Sequence, residues 1–363
     1  MRRTILVLFT VAAGLGAARA THGEISDRIK MLSGQFITGN VTEETYESVK
    51  YTSPGVEAKL AQCQVESVSW GDMPDAYRLG EQQRARGNWA DAVQNYEKVP
   101  QGRGRRWWIE PYTLYNMSLC YLQMGQADKA EELFRKLLKD HPRCKFVPHA
   151  HIAIGKINLD RRNWDEAITS FKAVSETVNN LTNRPVFCES QVLEASLKVC
   201  EALIGKSDYD AAITQLDRFI GEAQGKHKDF LLGARQLKAY TLICRKQTKE
   251  GVAEYHDIIA ESVKAMDGTA SDGEMRLMLV VAQCANGLGD AYLEAKEYKA
   301  ALLEYLRVVV SIADAAPSEY SRALVGAIKC FSLTDQKERA RALMEELKRK
   351  FPNNPQIGSI VIK

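Results

Sequence analysis

The chain has 363 residues, 45% hydrophobic and 26% charged, a composition that excludes a disordered polymer and a polytopic membrane protein. Its length suggests about two ordinary domains unless the chain is a repeat array. The formal charge is only +3, and the eight cysteines form no C-x-x-C pair, which argues against zinc ribbons, redox dithiols and dense disulfide scaffolds.

Residues 1–20 read as an export signal. Arg2 and Arg3 make a basic start, residues 5–13 an apolar core, and Ala18-Arg19-Ala20 the small-x-small pattern cut by a signal peptidase. Cleavage is expected after Ala20, which directs the mature chain to the periplasm or cell envelope of a bacterium. Gly14 and Gly16 break the apolar run short of the ~20 residues that span a bilayer, so no membrane span is expected after cleavage. Losing Arg2, Arg3 and Arg19 lowers the 49 basic residues to 46, equal to the 46 acidic ones. A neutral mature chain offers no long-range field to nucleic acid, and no nucleic-acid partner is expected.

Residues 21–72 are beta-rich. Alternating or beta-branched stretches at 29–32, 36–41, 46–51, 56–60 and 65–70 are separated by turn signals at Ser33-Gly34, Thr42-Glu43-Glu44 and Ser53-Pro54-Gly55. A segment this short makes a marginal core, so it is expected to curl into a small barrel or to pack on the next part of the chain. One reading is an N-terminal cap on the helices; the other is a peptide- or surface-binding module.

Self-similarity dominates residues 73–354. Six segments open a helix in the same way, at Asn88-Trp89, Gln126-Ala127, Asn163-Trp164, Asp208-Tyr209, Glu297-Tyr298 and Gln336-Lys337. An alanine follows in each (Ala92, Ala130, Ala167, Ala212, Ala301, Ala340), and four residues later a bulky side chain (Tyr96, Phe134, Phe171, Leu216, Tyr305, Met344). That spacing puts the small and the large residue on one helix face, a turn apart. About twelve residues before each alanine stands Gly80, Ser118, Gly155, Cys200, Gly289 or Ile328, all small but the last. Glycine inside a helix costs ~1 kcal/mol relative to alanine, so close packing is the expected reason for it. Two such helices joined by a short turn make a hairpin.

The pattern resembles the tetratricopeptide repeat, with Tyr121, Gly125, Ala130, Phe134 and Pro142 as its best match. The Ser-Gly-Gln and Gly-Asn-Val opening of the beta segment likewise resembles small strand-only modules of exported bacterial repeat proteins. The resemblance implies an all-α, right-handed superhelix of about seven hairpins behind a small all-β module, with residues 355–363 as a tail. Units are expected to start near Met73, Pro111, Pro148, Leu193, Leu232, Ala282 and Ser321; the fifth is irregular, with Gly251 where alanine belongs. The last residues, from Ile357 to Lys363, look strand-like and suited to a sheet edge.

Such a superhelix implies a non-enzymatic adaptor that binds a protein or peptide partner on the concave face formed by the first helices. Relatives that clamp a terminal carboxylate use Lys and Asn there. The matching places hold Tyr77 and Glu81, then Asn116, then His149 and Ala153, and only Asn116 agrees, so a more apolar ligand is expected. Tyr77, Tyr112, Tyr115, Asn116 and Lys156 are the candidate contacts on that face. Arg105, Arg106, Trp107 and Trp108 form the densest basic and aromatic stretch; that loop, or the beta segment, could instead serve a carbohydrate or cell-wall ligand. His141, Cys144, His149 and His151 lie close in sequence, but His149 and His151 at i, i+2 face apart on a helix, and no metal is expected. Gly205-Lys206-Ser207 lacks the earlier glycine and preceding strand of a phosphate loop, and no H-E-x-x-H or G-x-S-x-G occurs. No catalytic residue and no cofactor is expected.

Overall fold

The computed structural model describes residues 26–54, 56–100, 106–179, 186–223, 227–266, 268, 271–311, 316–360 and 362, with no side-chain detail at Cys63, Asn179 and 186–189. The expected export signal, and Arg105, lie outside them.

Five antiparallel strands come first: β1 (Asp27–Met31), β2 (Phe36–Glu44), β3 (Ser48–Ser53), β4 (Val56–Ala61) and β5 (Val65–Ser69), in spatial order β4-β3-β2-β1-β5. Register shifts at Lys30/Met31 and Val41/Glu43 mark bulges, which bend and twist a sheet. The turn expected at residues 42–44 is corrected to 45–47, and β2 runs on through Glu44. The cause is Thr45, whose hydroxyl oxygen accepts from the backbone N–H groups of Glu47 and Ser48 and so fixes the reversal. Ile29, Val41, Val49 and Val65 are buried with Trp70, and this apolar side is continuous with residues of the first helices.

Fourteen helices follow among the described residues, in seven hairpins: α1 (Asp75–Ala85) with α2 (Trp89–Glu97), α3 (Ile109–Gln123) with α4 (Ala127–Asp140), α5 (Val147–Asp160) with α6 (Trp164–Asn179), α7 (Val186–Gly205) with α8 (Tyr209–Ala223), α9 (Lys228–Cys244) with α10 (Thr248–Ala265), α11 (Asp272–Glu294) with α12 (Tyr298–Ser311), and α13 (Pro317–Leu333) with α14 (Lys337–Lys350). Each hairpin reverses through one residue of left-handed backbone, two positions before its second helix: Gly87, Gly125, Arg162, Ser207, Lys246, Lys296 and Asp335. The shared turn explains why the second-helix openings stand out so clearly in the sequence.

The small residues of the first helices receive the large ones of the second. A methyl group on Gly155 would come within 2.6 Å of the Phe171 ring, and one on Gly289 within 2.6 Å of Tyr305. Tyr305 also lies against Gly326 of the next hairpin, so one ring ties two repeats together. In the irregular fifth unit a methyl on Gly251 would meet the Ala239 carbonyl oxygen at 2.7 Å; glycine there lets two backbones approach where the other units use alanine.

The first helices of the fourth, fifth and sixth units begin earlier than expected, at Val186, Lys228 and Asp272 rather than near Leu193, Leu232 and Ala282. For α11 the reason is an N-cap: Ser271 Oγ accepts the Glu274 backbone N–H, which supports the helix start. First helices touch in succession, α5 with α7, α7 with α9, α9 with α11 and α11 with α13, whereas second helices pack mainly on the first helices beside them. The side where first helices meet is therefore the inner side of the curve. A large apolar cluster joins α9 to α13, while smaller separate ones fill α5 to α7 and α7 to α9.

The tail is not a sheet-edge strand. It forms a turn of 3-10 helix at Ile357–Ser359, and Ile357, Ile360 and Ile362 pack against the apolar cluster of the last hairpin. Asn354 Nδ2 donates to Ser321 Oγ at 2.6 Å, which anchors the chain before the isoleucines. These side chains cover part of the apolar surface of α13 and α14. Ending the chain at Pro355 is expected to cost about 2 kcal/mol of stability, from the apolar surface uncovered, measured by urea unfolding of the truncated and full chains.

Candidate functional site

Two regions gather the residues singled out by sequence. The first is the seam between sheet and array. Asp27 is fully buried; its carboxylate accepts from the backbone N–H of Val41 (2.8 Å) and of Gly71 (3.0 Å) and pairs with the Arg106 guanidinium at 2.5 Å. Burial pushes this carboxyl up, but the Arg106 hydrogen bond and the two backbone donors outweigh it and hold it below the usual carboxylate range. Arg106 also pairs with Asp72 at 2.7 Å and lies over the Trp70 ring. Trp107 donates its indole N–H to the Val41 carbonyl at 3.1 Å. Trp108 has no exposed surface and stacks on Trp70 with ring centroids 4.7 Å apart.

Tyr77 and Tyr112 belong to the same packing. Tyr77 is 3% exposed and meets Trp108 edge-on, and burial raises its phenol well above the ordinary value. Tyr112 donates to the buried carboxylate of Glu44, which also pairs with Lys145 at 3.0 Å. Tyr115 stacks on Phe146 at 4.1 Å. Asn116 is buried and donates to the Tyr77 hydroxyl and to Glu81 Oε1, both at 2.8 Å. Glu81 accepts further from Tyr96 and Arg84. The one residue that agreed with a carboxylate clamp is thus spent on a carboxylate of its own chain. Of the residues named from sequence, Tyr77, Tyr112, Tyr115, Asn116, Arg106, Trp107 and Trp108 all make packing or hydrogen-bond contacts within the chain, and Arg106 and Trp107 reach the sheet at Asp27 and Val41.

The second region is a groove of about 420 Å³ on the inner side, between α5, α7, α9 and α11. Leu197, Phe230, Leu237, Leu279 and Val280 make it apolar, with Gln236 and Gln283 among them. Lys156, the remaining described residue named from sequence, stands at its margin, paired with Glu194 at 2.7 Å. Lys198 and Glu201 pair at 2.7 Å, and Arg276 pairs with Asp229 while covering the Phe230 ring. Gly233 lies in the groove, where a methyl group would find only Leu197 and Val280, each at an ordinary 3.8 Å. Here glycine leaves open space instead of relieving a clash. The result is an apolar strip edged by charges already neutralised in pairs, which suits an apolar or amphipathic segment better than a highly charged one. The groove residues recur every three or four positions on three successive first helices, a signal present in the sequence; the late unit starts conceal it by cutting off Asp229, Phe230 and Arg276 to Val280.

Among the described residues, no group of three or more side chains that could hold a metal ion is assembled. His141 faces Glu110 at 3.5 Å, Cys144 lies beside the sheet at Thr45, and His149 contacts Gln191 at 2.7 Å. Cys120, Cys144, Cys200, Cys244, Cys284 and Cys330 are free thiols. Burial pushes Cys120, Cys144 and Cys330 up to about 11 and Cys200 to about 12, which suppresses the nucleophilic thiolate. No described helix is long and apolar enough to cross a membrane.

Comparison with known proteins agrees with this geometry. The family model described as Tetratricopeptide repeat matches residues 112–143 and 322–354, the hairpins α3–α4 and α13–α14. No curated protein matches the chain. Among solved structures, a tetratricopeptide repeat protein from Parabacteroides merdae superposes with a TM-score of 0.55 at 15% identity, over 78% of this chain and 95% of that one. PilW, described as a type IV pilus biogenesis factor, gives 0.43 at 12% identity over 69% and 97% of the two chains. MamA from Desulfovibrio magneticus RS-1 gives 0.41 at 15% identity over 54% and 100%. With two matched repeats, seven hairpins of one design and the fold of the Parabacteroides protein, the chain is a tetratricopeptide-repeat protein.

Proposed function

We propose that the protein is a non-enzymatic scaffold of the bacterial periplasm or cell envelope that binds a partner peptide or helix in the groove between α5 and α11. The observation that carries this reading is the apolar strip of Leu197, Phe230, Leu237, Leu279 and Val280 on the inner side of the array, left open at Gly233 and edged by paired charges. A helix or strand laid there would bury its apolar side on the strip and meet charged groups along both margins. The export reading rests on residues 1–20, and an N-terminus at Thr21 after expression in a bacterium is its direct check. The carbohydrate alternative is less favoured in its tryptophan-loop form, since Trp108 is buried and Trp107 is committed to Val41.

Filling the groove tests the reading. Peptides selected from a random library on the wild-type protein are expected to bind Gly233→Trp at least about tenfold more weakly, a loss of ~1.4 kcal/mol, as measured by fluorescence anisotropy. Leu303→Trp, on the exposed side of α12, should leave the same peptides unaffected. Equal binding to both variants would remove the groove from the mechanism.

A further inference from the structure

Among the described strands the sheet ends at β4 on one side and at β5 on the other, and the two ends differ. At β5 the paired strand β1 carries a register shift, and Glu66 is tied to Lys30 at 2.6 Å. At β4 the pairing with β3 runs through six consecutive residue pairs, Ser48 with Ala61 to Ser53 with Val56, without a shift. No described strand lies on the other side of β4. Val56, Glu57 and Lys59 are exposed, and neither Glu57 nor Lys59 has an ion-pair partner among the described residues, although Lys50 on the neighbouring strand is paired with Glu43 at 2.6 Å. A regular, bulge-free edge is a template for another strand, and because its two exposed charges, Glu57 and Lys59, are of opposite sign, a partner strand presenting them in reverse order is attracted instead of repelled.

We propose that β4 is a self-pairing surface that joins two copies of this chain into one continuous ten-stranded sheet. The strand reads Val56-Glu57-Ala58-Lys59-Leu60-Ala61. In an antiparallel pair related by a two-fold axis at Ala58, Glu57 of each copy stands opposite Lys59 of the other, and Val56 opposite Leu60. Every contact then occurs twice, as a two-fold interface requires. Both charges left single among the described residues are matched in this register, and the exposed Val56 gains an apolar neighbour on the same face. A foreign strand would need an acid and a base at the same offset; a second copy has them by construction. The contact is small, so dimerisation belongs to the weak class rather than the obligate one.

The test is sedimentation velocity and light scattering of the full chain across roughly 1–100 μM. The wild type is expected to move from monomer to dimer within that range. Lys59→Glu alone and Glu57→Lys alone each set like charges against one another twice per interface, and each should weaken dimerisation at least about tenfold. The double variant Glu57→Lys with Lys59→Glu restores the opposite pairing and should dimerise as the wild type does. Circular dichroism confirms that the four proteins are equally folded, since both positions are exposed. A wild type that stays monomeric overturns the proposal, as does a dimer indifferent to the single changes, or a double variant that fails to recover.

Discussion

Trp108→Ala should be among the most damaging single substitutions in this protein, lowering stability by about 3–5 kcal/mol. The side chain has no exposed surface and sits at the meeting point of three structures: it stacks on Trp70 at the end of the sheet, meets Tyr77 of α1 edge-on, and touches Tyr112 of α3. Truncation leaves a cavity where the sheet, the first repeat and the second repeat adjoin, and a site bounded by three elements cannot close without moving one of them. Urea unfolding measures the loss. Limited proteolysis adds a positional readout, because the β1–β5 segment should become the first part cut. Trp108→Phe keeps a ring against Trp70 and should recover roughly half of the loss.

Asp27→Ala should rival it, at about 3 kcal/mol, because it leaves the Arg106 guanidinium short of its buried counter-ion and two backbone N–H groups without an acceptor. Asp72 remains as a partial substitute for Arg106, which holds the cost to the lower end for a broken buried pair. The same site has a pH signature. The folded-state carboxyl is held below its ordinary 3.8, so its stabilising effect is complete above that value and is lost as pH falls through the lower, folded-state value. The stability gap between wild type and Asp27→Asn should therefore be constant near neutral pH and shrink below pH 3.8. A gap that widened on acidification would contradict the pairing.

How much of this is legible in the sequence depends on the range of each interaction. Most second helices can be located nearly to the residue, because an opening that is often aromatic, an alanine and a bulky residue four positions later are constraints within one helix. First-helix starts are harder to place. They depend on caps such as Ser271 with Glu274, or on long helices such as α7 that begin well before the repeat pattern does. The turn after β2 is easily misplaced because Thr42, Glu43 and Glu44 look like turn residues, whereas Thr45 makes the turn through its own hydroxyl. The concave-face candidates Tyr77, Tyr112 and Asn116 follow from their repeat positions; their partners Glu44, Glu81 and Trp108 lie on other elements, and no local pattern reveals such pairings. Asp27 and Arg106 are 79 residues apart. The groove residues have the right period but fall across unit boundaries drawn too late.

The division of the apolar interior sets how the molecule comes apart. In an array whose units touch only neighbours, stability is a chain of local terms joined by interfacial ones, and the weakest interface marks where cooperativity breaks. Tyr305, wedged between Gly289 and Gly326, and the continuous cluster from α9 to α13 join the C-terminal repeats into a block that is expected to melt as one. Around α7 the interior is split between two small clusters, so this helix is the expected breaking point between that block and the N-terminal repeats with their sheet. The groove spans this joint, from Lys156 on one side to Arg276 on the other. A segment bound along it, as proposed above, would act as a splint across the seam, and the stiffness of the array would then report occupancy.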